Sequence, residues 1–132
     1  MHTIQEKHRH YILAGNQYAP KDLLAQLSRS PHSQVRARIA ENAGAPLATL
    51  IKLIDDESAE VKIGLSNNPL LNERILAALA RDEDADVRYG MAENPHLPRL
   101  ILLLLAADEN PYVAERAKAS LQVQPAAQHL AA

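Results

Sequence analysis

The sequence contains no cysteine, no tryptophan and no phenylalanine, and only four tyrosines and four glycines. Without cysteine the chain has no disulfide, no thiolate nucleophile and no thiolate for a metal, a usage compatible with a reducing compartment. With so few aromatics, the core must be built from Leu, Ile, Val and Ala. The glycines, Gly15, Gly44, Gly64 and Gly90, stand singly, so no glycine-rich loop is present to cradle a phosphate. Neither sign of charge dominates, and a net charge of −2 gives no global attraction to nucleic acid or to an anionic membrane. The longest apolar run, Leu100 to Ala107, is eight residues, far short of the roughly 20 that span a bilayer. The opening MHTIQEKHRH holds no apolar stretch of the signal-peptide kind. These absences lead to the expectation of a cytoplasmic protein without a membrane partner.

What the chain does have is a period. Val35, Val61, Val87 and Val113 stand 26 residues apart, and the residues between them repeat in kind. Four copies cover 9–34, 35–60, 61–86 and 87–112, after an extension at 1–8 and before a cap or tail at 113–132. The eighth position of each copy is Asn (Asn16, Asn42, Asn68, Asn94), and the twelfth is Pro20, Pro46, Asn72 and Pro98. The sixteenth is Leu24, Leu50, Leu76 and Leu102, the nineteenth Leu27, Leu53, Leu79 and Leu105, and an acid fills the twenty-second in three copies (Asp56, Asp82, Asp108). Such a period indicates stacked units, because one short unit cannot bury its own apolar face.

Each copy reads as two helices. In the third, the first helix begins at Val61 and stops by Asn68–Pro69, since proline disfavours α geometry in the residue before it. The second opens with the proline in its first turn, where a missing N–H leaves no partner unsatisfied. It runs about ten residues, with Ile75, Leu76, Leu79 and Ala80 as a core stripe at helical spacing. The acidic segment after it, such as Asp82 to Asp86, holds turn and helix-starting residues that launch the next unit.

The unit VRYGMAENPHLPRLILLLLAAD, from Val87 to Asp108, resembles the leucine-rich repeat variant, a bacterial repeat of alternating short helices. The resemblance covers Arg9 to about Leu121 and is loosest in the first copy, where Arg9 replaces Val and Gln17 replaces Pro. It implies an all-α, HEAT- and armadillo-like α-solenoid of four two-helix repeats plus a C-terminal cap, wound as a right-handed superhelix without a β-sheet. It implies a scaffold without an enzymatic activity. The iron–sulfur cluster of some relatives cannot be carried over to a chain without cysteine, so no cofactor is expected. The family's Thr before the proline is replaced by Ala19, Ala45, Leu71 and Leu97. Second helices therefore lack a side-chain cap, except where Asn72 supplies one.

The repeated polar columns admit two readings each. The second position carries His10, Arg36, Lys62 and Arg88. It is either a basic ladder for an acidic peptide or phosphate backbone, or a set of internal ion pairs to acids in the preceding loop, as Arg88 to Asp82 or Asp86. Asn42, Asn68 and Asn94 are candidate contacts for a partner, or residues that tolerate a left-handed helix terminus. In the fourth copy Leu100 and Leu104 replace the polar residues of other second helices and, with Leu97, form a second apolar stripe. Either a helix over Val113 to Val123, with Pro125 to Ala132 folding back, covers that stripe, or a partner or second copy does.

No catalytic constellation assembles. His8 and His10 fall in a region read as a mobile extension, without an acid at a spacing that fixes a metal site, and Ser28, Ser30 and Ser33 near His32 lack an oxyanion-type loop. Three functions remain. The first is a scaffold that binds a protein or peptide. The second is a nucleic-acid module using Arg36, Arg38, Lys62 and Arg88 with Lys52 and Arg74, though only Tyr11, Tyr18, Tyr89 and Tyr112 could stack on bases. The third is a homodimer formed through the fourth repeat.

Overall fold

The computed structural model describes residues 3–125, and every regular element among them is helical, with no strand. Chain contacts divide it into two compact units that meet in sequence between Leu70 and Leu71. The first unit holds α1 (Ile4–Ala14), α2 (Lys21–Leu27), α3 (Ser33–Glu41), α4 (Leu47–Lys52), a 3-10 turn at Leu53–Asp55, and α5 (Ala59–Ser66). The second holds α6 (Glu73–Leu79), α7 (Ala85–Ala92), α8 (Arg99–Ala106) and α9 (Pro111–Gln122).

In the first unit α1 packs on α3 and α3 on α5, while α2 lies against α1 and α3. Its core is aliphatic: Leu24, Val35, Ile39, Leu50, Val61 and Leu65 are fully buried. In the second unit α9 packs on α7 and α8, and α6 on α8, around Leu79, Val87, Met91, Leu102, Leu105 and Val113. The valine column and both leucine columns thus lie inside, as their spacing implies.

Capping explains where the helices begin. The first helix of a copy starts before the valine, because the residue three positions ahead of it caps the helix. Ser58 accepts from the Val61 N–H, Asp84 from Asp86, and Asn110 from Tyr112 and Val113. Helix α5 therefore starts at Ala59 rather than at the expected Val61. The second helices are six to eight residues long, shorter than the expected ten.

Pro20, Pro46 and Pro98 sit one residue earlier than expected, at the N-cap itself, with φ of −55°, −60° and −52° and ψ of 138°, 142° and 141°. Their carbonyls accept the first helical N–H groups, from Leu24, Leu50 and Leu102, while no side chain caps these helices. At the third copy Asn72 does cap, accepting from the Ile75 N–H at 3.0 Å.

The residues read as a mobile extension belong to a helix. Thr3 and Glu6 form a reciprocal capping box, each side chain accepting from the other's backbone N–H at 3.0 Å, and α1 starts at Ile4. The TIQE sequence carried this signal. At the other end, α9 fulfils the expected helix over Val113 to Val123, burying Val113, Ala114, Ala117 and Ser120. The part of the fold-back expectation that falls on 126–132 lies outside the described residues.

Replacing Asn72 by alanine removes the only side-chain cap on a second helix among the described residues, and the expected loss is about 1 kcal/mol. Urea unfolding of the Asn72→Ala chain checks it, and a change within measurement error would contradict the capping role.

Candidate functional site

The asparagine column does not hold a left-handed turn, since no described residue, glycine included, has a positive φ. Asn42 is buried in extended geometry, and its side-chain amide donates to the carbonyls of Ala14 (2.8 Å) and Asn16 (3.1 Å) while its oxygen accepts from the Gly44 N–H. Asn68 repeats the arrangement, donating to Ala40 (2.8 Å) and Asn42 (3.1 Å) and accepting from Leu70. Each asparagine thereby reaches two carbonyls at the end of the preceding first helix, of which Asn16 and Asn42 also accept the N–H of Ala19 and Ala45. Asn16 is exposed, with its oxygen on the Tyr18 N–H, and Asn94 holds the His96 N–H at 2.9 Å. Ser120 takes the column's place in α9 and donates to Ala92 at 2.6 Å, across the same 28-residue separation. Gln124 adds a bond to the Leu97 carbonyl at 2.8 Å.

The basic column is engaged as well, with a different acid from the one expected. Arg36 grips Asp56 through Nε (2.9 Å) and a terminal nitrogen (3.2 Å), and Arg88 grips Asp108 in the same way (2.8 and 3.4 Å). The partner is the acid of the loop that follows, 20 residues on. The preceding loop contributes backbone carbonyls, Ser30 to Arg36 and Asp82 with Glu83 to Arg88. Sequence adjacency favoured the nearer acids, but the two helices of a copy run back to bring the arginine beside its own copy's last loop. The same carboxylates accept the N–H of Ser58 and Asn110, so each acid shapes the loop that starts the next helix.

Burial opposes the charge on Asp56, but hydrogen bonds from Arg36 and the Ser58 N–H, with the charges of Arg36 and Lys62, outweigh it and hold the carboxyl below the ordinary carboxylate value. Asp108 is lowered in the same way against its own burial by Arg88 and the Asn110 N–H. Arg36 and Arg88 are raised, first by their hydrogen bonds to those acids. Beside Arg88 lies a groove of about 600 Å3, lined by Leu104 and by Asp82, Glu83, Asp108 and Glu109, which makes it acidic.

Of the proposed apolar stripe, Leu97 is in the core, 2% exposed, since it precedes the start of α8 and helical spacing does not apply to it. Leu104 is half-buried, and the outward apolar surface of α8 is Leu100 (62% exposed) with Leu103 (43%). Helix α9 packs on α8 without covering these two. Among the described residues, no three His, Asp or Glu side chains gather where they could hold a metal ion, and no helix is long and apolar enough to cross a membrane. No protein family, curated protein or solved structure matches the chain.

Two predictions follow from the bonded columns. Asn68→Ala leaves the Ala40 carbonyl and the Leu70 N–H without the partners it gave them and takes one of two bonds from the Asn42 carbonyl, and is expected to cost about 3 kcal/mol; Asn16→Ala, at an exposed position, should change stability by less than about 0.5 kcal/mol. Equal effects in chemical denaturation would contradict the assignment. Because Asp108 titrates lower in the folded chain, its pair contributes fully above the unfolded carboxylate value of about 4 and fades as pH falls through the lower folded value. Arg88→Met should therefore destabilise by about 2 kcal/mol at neutral pH, and the gap from the parent chain should close on acidification below pH 4.

Proposed function

We propose that the chain is a non-enzymatic scaffold of the leucine-rich repeat variant type, an α-solenoid of four 26-residue repeats in a right-handed superhelix that binds a protein or peptide. The recurrence of one asparagine bond at separations of 26 and 28 residues supports the stacking, because a bond between equivalent neighbours repeats at the period of the array.

The observation that carries the function is the engagement of the arginines. A stripe for phosphates needs free cations, whereas Arg36 and Arg88 are held by Asp56 and Asp108 with side chains 14% and 13% exposed. The remaining members of the basic set divide between first helices (Arg38, Lys62) and second helices (Lys52, Arg74). The exposed large apolar and aromatic residues include Leu100, Leu103, Tyr18 and Tyr112, which suit protein recognition. The exposure of Leu100 and Leu103 favours a second reading, self-association through α8.

Capture on the tagged chain, at low and moderate salt with and without nuclease, tests the first reading. A discrete protein that survives nuclease is expected, and recovery of nuclease-sensitive material alone, falling steeply with salt, would overturn it. For the second, Leu100→Glu with Leu103→Glu should convert a dimer to a monomer by light scattering, and a parent chain already monomeric at high concentration would sink it.

A further inference from the structure

All four aromatic residues of the chain stand at its surface: Tyr11 and Tyr89 are 39% exposed, Tyr112 76% and Tyr18 85%. The core is complete without them, so their positions call for another reason. Two of them share one cleft in the second unit, of about 530 Å3, formed by Tyr89 from α7 and by Pro111, Tyr112, Glu115, Arg116 and Ala119 from α9.

Arg116 gives that cleft its chemistry. Among the described residues its Nε is buried without a hydrogen-bond partner, and no acid reaches its guanidinium. The adjacent Glu115 turns instead to Lys118, at 3.3 Å. With its Nε shut off from solvent, the Arg116 guanidinium lining the cleft has its terminal nitrogens left for a ligand there. The first unit contains the closed counterpart. Arg38 follows Tyr11 by the same 27 residues that separate Arg116 from Tyr89, its Nε is likewise buried and unpaired, and the Tyr11 ring lies over its guanidinium at 4.8 Å. Gly15 leaves the room, since a Cβ there would come 2.2 Å from the Arg38 terminal nitrogen. In the second unit no ring among the described residues is stacked on Arg116, which lines the cleft instead.

We infer that the cleft of Tyr89, Pro111, Tyr112 and Arg116 is a docking site for a protein segment that presents one carboxylate beside a proline or aliphatic residue. The carboxylate accepts from the two terminal nitrogens of Arg116, whose paired N–H groups match its geometry, and the apolar neighbour lies on the tyrosine rings and Pro111. Charge decides for a carboxylate over a phosphate backbone: among the described residues Arg116 is the one cation lining the cleft and Glu115 sits at its side, while nucleic acid is held by several cations along its path. This site rests on the scaffold reading and specifies its partner.

Random peptides displayed on phage, panned on the full chain and then measured singly by fluorescence anisotropy, test it. Enriched peptides are expected to share an Asp or Glu next to Pro, Leu, Ile or Val. Arg116→Met should weaken such a peptide about 10- to 100-fold, the value of a hydrogen bond to a charged group, and Tyr112→Ala about 10-fold, as for an aromatic anchor. Glu115→Gln should strengthen it about threefold by removing a like charge, a gain that a damaged fold could not produce. Peptides indifferent to Arg116→Met and Glu115→Gln, or no enrichment, overturn the cleft and leave the scaffold to be judged by the capture experiment. Peptides lost with Leu100→Glu instead overturn the cleft but keep the scaffold. Oligothymidylate bound through Arg116 overturns both.

Discussion

A buried asparagine amide reaching back to two carbonyls of the preceding copy is the contact on which the packing of these short helices depends. Helices of six to nine residues in the interior of each unit leave many backbone groups at their ends, and a helix this short is marginal alone. Asn42 and Asn68 answer both problems: each closes its own turn through the side-chain oxygen and ties two carbonyls of the preceding helix end through the nitrogen. Asparagine suits the place because it presents donors and an acceptor on a short side chain. In α9 Ser120, with a single hydroxyl donor, keeps one of these bonds and leaves the other to no counterpart of its own.

The arginine–aspartate pairs work at the opposite end of the helices. One carboxylate holds an arginine through two nitrogens and a backbone N–H two residues on, so a loop of a few residues is fixed without a core of its own. These two sets of polar contacts also decide what remains for recognition. With Asn42, Asn68, Arg36 and Arg88 bonded internally, the candidate recognition surfaces are Leu100 and Leu103 on α8, and Tyr89, Tyr112 and Arg116 on α7 and α9.

The asparagine and basic columns were plain in the sequence, but their bonds were not. A left-handed turn was a local explanation for Asn42 and Asn68, and the true partners lie 26 and 28 residues away. The choice of Asp82 or Asp86 for Arg88 was likewise local, whereas the structure brings in Asp108. Leu97 was misjudged by extending helical spacing past a helix end. By contrast, the capping box of Thr3 and Glu6 is written in the TIQE sequence, while Arg116 carries no sequence signal beyond its spacing from Tyr89.

The sequence by itself determined the period, the aliphatic core columns, the helical class and the cap at Asn72, because each depends on side-chain volume and bonding within a few residues of chain. Tertiary structure decided which acid each arginine takes, which carbonyls each asparagine satisfies, and which leucines and tyrosines stay outside. Those outcomes depend on where separate helices meet, and contacts made across 20 or more residues of chain leave no trace in local pattern.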